Sequence, residues 1–218
     1  MDNQKLERKI IDYQSHMFKL APILAYAYVF KLVALDMTVL HQSLMKDTEN
    51  GDFKQLEITH HLAAGYKSFN TSIVYDSLDK LRQACGGAGF NSFSGLPLLV
   101  QDYSPNTTFE GDNTVMAQQS SRLLIKNIKS LQKGFKPTGI FAYLNKMHKA
   151  AGLKCVAKNP KQVLDVDIVE EALFMRTVYQ IKTTFEKLMG SQASENEKTN
   201  SLFAVDIIKM AQYHIMLT

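Results

Sequence analysis

The chain has 218 residues, 45% of them hydrophobic and 21% charged, enough apolar sequence to bury a core and to exclude wholesale disorder. Its net charge of +4 comes without a dense Lys/Arg stripe, so no nucleic-acid partner is indicated. Two cysteines exclude a disulfide framework, and no Cys/His pair has zinc-site spacing, so no metal is expected. The longest uninterrupted apolar stretch, 20–30, lies between Lys19 and Lys31. It is shorter than the ~20 residues needed to cross a bilayer, so no membrane span is expected. The leading MDNQKLERKI is not a signal-peptide pattern, and the closing Met216-Leu217-Thr218 is not an SKL-type address.

A first helix is predicted over about 10–45, where Ile10, Met17, Ala21, Leu24, Tyr28, Leu32, Leu35 and Val39 keep a spacing of three or four. Pro22 lies inside this pattern and removes a ladder hydrogen bond, which predicts a kink or a restart. Asn50-Gly51-Asp52 marks the turn after it. A second helix is predicted over 56–83, with Leu62, Tyr66, Phe69 and Ile73 along one row. Between Cys85 and Phe109 stand Gly86, Gly87, Gly89, Gly95, Pro97 and Pro105, six of the chain's 11 glycines and 5 prolines. This composition predicts a structured, glycine-rich loop insert with a short helix near 98–101.

Helical spacing resumes at Asp112, and Asp112, Asn113 and Thr114 are all good helix starters. The segment 134–159 reads as a connector with a short amphipathic helix over 141–150. Leu164, Ile168, Ala172, Met175, Tyr179, Phe185 and Met189 predict a helix over 164–189. Leu202, Val205, Ile208, Gln212 and Ile215 predict a last one. No alternating strand pattern appears, so the expected fold class is an all-α helical bundle.

Two segments can carry chemistry. In Arg82-Gln83-Ala84-Cys85-Gly86-Gly87-Ala88-Gly89-Phe90 the glycines can expose backbone N–H groups to a pyrophosphate, or can simply end a helix and turn the chain. Cys85 is expected to be a buried structural thiol. In Phe109-Glu110-Gly111-Asp112-Asn113 a carboxylate stands at the mouth of a helix, where the N-terminus favours its charge and burial beside Phe109 would oppose it. Glu110 is therefore either a candidate base or a capping residue. The histidines, including the adjacent His60-His61 pair, have no ligand-spaced partners.

Together, RQACGGAGF, the spacer SGLPLL and SPNTTFEGDNTVMAQQSSRLLIK resemble the carboxy-terminal helical region of the peroxisomal acyl-CoA oxidases, within the flavin-dependent acyl-CoA dehydrogenase/oxidase superfamily. The resemblance extends upstream through KLAPILAYAYVFKLV and HHLAAGYKSF, and more faintly downstream through SLFAVDIIKMAQYH. It implies an oxidase-like helical bundle over 1–135, a connector over 136–163 and an incomplete second helical domain over 164–218. It implies a FAD-dependent enzyme that desaturates fatty acyl-CoA to trans-2-enoyl-CoA and reduces O2 to H2O2, located in the peroxisome and acting as a homodimer. Glu110 would be the catalytic base and Gly111 a substrate contact. Gln83, Gly86, Gly87 and Gly89 would meet the adenine-diphosphate part of FAD across a dimer interface, and Asn113 and Thr114 would meet FAD of the same subunit. The chain departs from the family at Ala88 and Phe90, where members often carry His and Tyr. Nothing in it corresponds to the family's amino-terminal helical domain or its central β domain, so the chain is expected to be a fragment. The alternative is an inactive all-α remnant that serves only as a dimerisation module.

Overall fold

The computed structural model describes residues 8–154 and 156–218. Residues 1–7, read above for a targeting signal, and Cys155 lie outside the described residues. Helices account for nearly all the secondary structure, and no strand occurs among the described residues, as the periodicity predicted. In chain order they are α1 (Gln14–Glu49), α2 (Leu56–Ala84), α3 (Gly87–Phe90), α4 (Leu96–Tyr103), α5 (Asn113–Gln132), α6 (Val166–Gly190), α7 (Glu195–Glu197) and α8 (Ala204–Leu217). Short 3-10 segments, and a π turn over Lys198–Leu202, join several of them.

The chain divides into two compact units, which do not follow its order: 1–51 with 70–110, and 52–69 with 111–218. In the first unit, α1 is continuous through Pro22 and does not restart there. One missing ladder bond does not end a helix of 36 residues. The row that keeps the helical spacing is open: Leu24, Tyr28, Leu32, Leu35 and Val39 are all exposed, and Leu44 is the buried residue of α1. The glycine-rich stretch is not an open loop along its length. Gly87–Phe90 close the single turn of α3, Ser92–Ser94 form a 3-10 turn, and α4 is longer than the expected 98–101.

The second unit holds the principal core. Leu124 and Ile128 of α5, Phe141 and Leu144 of a 3-10 run over Gly139–Gly152, Ile181 and Phe185 of α6 and Met210 of α8 pack as one cluster. The connector carries the expected short helix, in 3-10 form over Gly139–Gly152. Its apolar residues Phe141, Leu144 and Met147 are spaced by three, the repeat that aligns on one face at three residues per turn. On α6 the buried stripe is Thr177, Val178, Ile181, Thr184, Phe185 and Leu188, displaced from the predicted row, while Tyr179 is exposed. On α8 it is Ile207, Met210, Ala211, His214 and Ile215, while Leu202 and Val205 are exposed. Gly65 lets α2 meet α8 and α5 closely, since a Cβ there would collide with the Ile215 side chain and the Ser120 hydroxyl. Ile181→Ala should lower stability by roughly 2–5 kcal/mol, because a fully buried side chain would leave a cavity. An unchanged urea midpoint would show that this cluster is not what holds the unit together.

Candidate functional site

The segment between α4 and α5 is shaped by Pro105, whose carbonyl accepts hydrogen bonds from the amides of Thr108 and Phe109, both at 2.9 Å. The chain then enters left-handed backbone at Glu110 (φ 54°) and stays at positive φ at Gly111 (φ 106°). Among the described residues Glu110 is the one non-glycine with positive φ. Such a conformation costs about 1–2 kcal/mol for a residue with a Cβ, and it persists only where the surroundings fix it. Asp112 then caps α5, its carboxylate accepting the Thr114 amide at 2.8 Å. That hydrogen bond is the main reason its carboxyl is held below the usual carboxylate range. Glu110 is thus not the cap itself. Its side chain is exposed, and Phe109 is half exposed, so the expected burial of the carboxylate beside Phe109 is not realised here.

The backbone after Glu110 is held from α2. Lys67 Nζ donates to the Gly111 carbonyl and to Asn113 Oδ1, the latter at 2.8 Å. The neighbouring Ser68, which is buried, donates from Oγ to the Asn113 carbonyl at 2.7 Å. A Cβ at Gly111 would lie 2.5 Å from Met116 Cε, the end of a flexible side chain that can shift, so it is the positive φ that demands glycine there. The structure therefore brings Gly111, Asn113 and Thr114 together directly after Glu110. The side-chain oxygen of Asn113 is engaged by Lys67, and Thr114 is exposed.

The second grouping of expected site residues stands at the end of α2. Gln83 Nε2 donates to Asp79 Oδ2 at 2.6 Å, and Arg82 holds Asp79 Oδ1 at 2.6 Å. Arg82 first, and then Gln83, keep the Asp79 carboxyl below its ordinary range. Cys85 is exposed, contrary to the expectation of a buried thiol, because α2 has already ended and the chain is turning outward. The three glycines differ in why they are needed. Gly86 takes φ 58° at the turn into α3. Gly89 is buried, and a Cβ on it would collide with the Arg82 carbonyl. Gly87 has neither requirement: its φ is not positive and nothing lies within 4 Å of where its Cβ would be. An exposed glycine that the fold does not demand leaves the backbone open to close approach. In the same unit a cleft of about 1080 Å³ is lined by Tyr75, Arg82, Phe90, Pro97, Gln101 and Pro105, among others.

The model of the acyl-CoA oxidase C-alpha1 domain matches residues 1–125, more than half of the chain. The chain belongs to the acyl-CoA oxidase family. Peroxisomal acyl-coenzyme A oxidase 1 of Bos taurus is 31% identical to it over 214 residues, which cover 95% of this chain and 32% of the relative. Acyl-CoA oxidase 1 of Arabidopsis thaliana superposes with a TM-score of 0.91 at 29% identity, over 100% of this chain and 33% of the neighbour. Acyl-CoA oxidase-2 of Caenorhabditis elegans, solved with FAD, ascaroside-CoA and ATP bound, has a TM-score of 0.83 at 26% identity, over 100% of this chain and 32% of that one. The chain thus spans about a third of the length of these relatives, and corresponds to their carboxy-terminal helical region.

Sequence reasoning missed the residues that hold the Glu110-Gly111 turn. Lys67 and Ser68 lie within a helix, 44 and 45 residues before their partners Gly111 and Asn113, and no local pattern marks them. It also missed a polar chain inside the second unit. His61 Nε2 lies 2.9 Å from His214 Nε2, His61 Nδ1 lies 2.8 Å from the Ser120 carbonyl, and the Tyr143 hydroxyl lies 2.8 Å from His214 Nδ1. Burial is the main cause that pushes His61 down to about 4 and His214 down to about 3, so both rings are neutral near pH 7. Burial also pushes the Tyr143 phenol up, which keeps it a donor. The Ser120 carbonyl can only accept, so His61 carries its proton on Nδ1 and accepts at Nε2 from His214, which in turn accepts at Nδ1 from Tyr143. Three helices and the 3-10 run are joined by hydrogen bonds that all run in one direction.

Proposed function

We propose that this chain is the part of a FAD-dependent acyl-CoA oxidase that supplies the catalytic base. Glu110 takes the α-proton of a fatty acyl-CoA thioester, and the α,β bond becomes the double bond of a trans-2-enoyl-CoA. FAD, when bound, supplies acceptance of the β-hydride and its onward delivery to O2, giving H2O2. The observation that carries this reading is the Glu110-Gly111 turn: a carboxylate held in strained left-handed backbone, outside its own helix cap, in the FEG segment of an acyl-CoA oxidase family member. A carboxylate free of capping duty can move a proton, and strain of this kind gathers at functional positions. Gly111 would lie against the substrate. Gln83, Gly86, Gly87 and Gly89 would hold the adenine-diphosphate part of FAD from a partner subunit, and Asn113 and Thr114 would face the FAD of their own. A homodimer in the peroxisome completes the reading, supported by relatives named peroxisomal. The test is FAD loading followed by peroxide release on addition of a fatty acyl-CoA. A FAD-loaded enzyme that binds acyl-CoA and releases no peroxide would overturn the oxidase reading.

The glycines give a separable check. Gly87→Ala should leave folding intact, or stabilise it by roughly 0.5–1 kcal/mol as a helical Gly-to-Ala change does, while weakening FAD binding. Gly89→Ala should destabilise the protein, because its Cβ meets backbone. Equal FAD affinity in Gly87→Ala and the parent, read by fluorescence titration, would remove the diphosphate contact from this segment.

One observation points to an interaction face on part of the chain, the exposed apolar row of α1. By length and composition α1 could cross a membrane, which the uninterrupted stretch 20–30 alone did not suggest. Helices that soluble proteins cover pass the same test, and the relatives are oxidases. We therefore read the exposed row from Leu24 to Val39 as a face for protein, not lipid.

A further inference from the structure

We infer that Lys67, with Ser68 beside it, is a positioning residue for the base: it aims Glu110 by clamping the backbone that follows. This rests on the reading of Glu110 as the base. Three separate atoms of the turn are tied to adjacent positions on one helix. Lys67 Nζ reaches the carbonyl of Gly111, one residue beyond Glu110, and Oδ1 of Asn113, three beyond it. Ser68 Oγ takes the main-chain carbonyl of the same Asn113 at 2.7 Å. Gly111 O and Asn113 O belong to different peptide planes, so the two anchors together fix both the position and the rotation of the turn. Asp112, between them, is committed to the Thr114 amide, and Met116 closes the side of Gly111 where a Cβ would stand.

The need for such a clamp follows from the backbone. Glu110 is held at φ 54°, a conformation that a residue with a Cβ leaves readily unless its neighbours are fixed. An ammonium is well suited to the task, since its three donors can satisfy two acceptors at different heights along the turn. The clamp also gives the Asn113 side chain a role beside the Asp112 cap: its Oδ1 accepts from Lys67. A base displaced by about 1 Å can lose on the order of 10²-fold in rate, so holding this turn is a catalytic matter even though Lys67 touches no reacting atom.

Lys67→Met keeps the aliphatic stem and removes the donors. Two readouts are made on it. In the first, hydrogen exchange of the 110–116 segment, including the Thr114 and Met116 amides, should quicken by ~10-fold or more, while peptides from the core around Ile181 and Met210 exchange as before. In the second, kcat of the FAD-loaded enzyme should fall by ~10²-fold with KM for acyl-CoA and FAD occupancy within about threefold of the parent, and Lys67→Arg should restore part of it. Should Lys67→Met not fold, Ser68→Ala removes one anchor and should show both changes in smaller measure. The clamp requires both results; faster exchange with parental kcat, or a lower kcat with parental exchange, overturns it. Glu110→Gln is run alongside. If that variant is inactive and Lys67→Met is fully active, the clamp alone is wrong; if Glu110→Gln turns over, the base assignment fails and takes the clamp's catalytic role with it.

Discussion

Glu110→Gln should reduce acyl-CoA oxidation by at least ~10²-fold in the FAD-loaded enzyme while FAD and acyl-CoA still bind, because the amide keeps the shape of the side chain and cannot accept a proton. The structure sharpens this expectation. Glu110 does not cap α5, a duty that Asp112 performs, so the substitution removes no helix-capping bond. The left-handed backbone at 110 is set by Gly111, Asn113 and the α2 side chains, none of which depends on a charge at 110. Loss of activity therefore cannot be ascribed to loss of fold, and circular dichroism with urea unfolding should show the variant and parent to be closely alike. Glu110→Asp is the informative companion. It restores a proton acceptor on a shorter arm, so partial activity is expected, with a fall in kcat larger than any rise in KM. Turnover in Glu110→Gln above about 1% of the parent would show that another group takes the α-proton.

How legible this was in the sequence differs between elements, and the differences have physical causes. Long helices with strong punctuation were read nearly to the residue: α2 ends where Gly86 and Gly87 begin, and α5 starts after an Asp whose carboxylate can turn back on Thr114. Buried faces were read less well. On α6 the stripe passes through Thr177 and Thr184, polar residues that hydropathy assigns to the outside. They are buried because their hydroxyls reach carbonyls of the opposing helix, Thr177 that of Tyr213 at 3.0 Å and Thr184 that of Asp206 at 3.4 Å. On α1 the periodicity correctly predicted a helix and carried no information on burial, because a 3.6-residue repeat reports what a face is made of, not whether this chain covers it. At the site, Glu110 and the glycines stood out because their chemistry is local. Lys67 did not, since its partners are remote in sequence and an interior lysine on a long helix looks like any solvated one. His61 and His214 are 153 positions apart and were invisible as a pair for the same reason.

That pair makes the protein sensitive to acid in a definite window. Both rings are neutral in the folded state because burial disfavours their charge, with His61 pushed down to about 4 and His214 to about 3. In the unfolded chain a histidine titrates near 6.5. Above that value neither state binds the protons and stability is at its full level. As pH falls below 6.5 the unfolded chain takes up protons that the folded one refuses, so stability drops, and the drop levels off only once the folded rings protonate near 4 and 3. Each histidine contributes a slope of ~1.4 kcal/mol per pH unit in the steep part, giving on the order of 4 kcal/mol for the two between pH 7 and 5. The charges near His61 do not remove the effect: His60 beside it opposes protonation, while Glu57 favours it, and both are smaller than burial. Asp52, Asp79 and Asp112, whose carboxyls are held below the usual 3.8, weaken the fold only at lower pH and leave this window clear. His214→Phe should retain the stacking on Phe141, now at 5.1 Å between ring centroids, and lose one of the two titrating groups. Its stability at pH 7 should fall, because Tyr143 loses its acceptor, yet its dependence on pH between 6.5 and 5 should drop to about half that of the parent. Urea unfolding across this range measures both quantities. A parent whose stability is level from pH 7 to 5 would show that His61 and His214 are not buried as a neutral pair, and the one-way chain of hydrogen bonds from Tyr143 to Ser120 would fall with it.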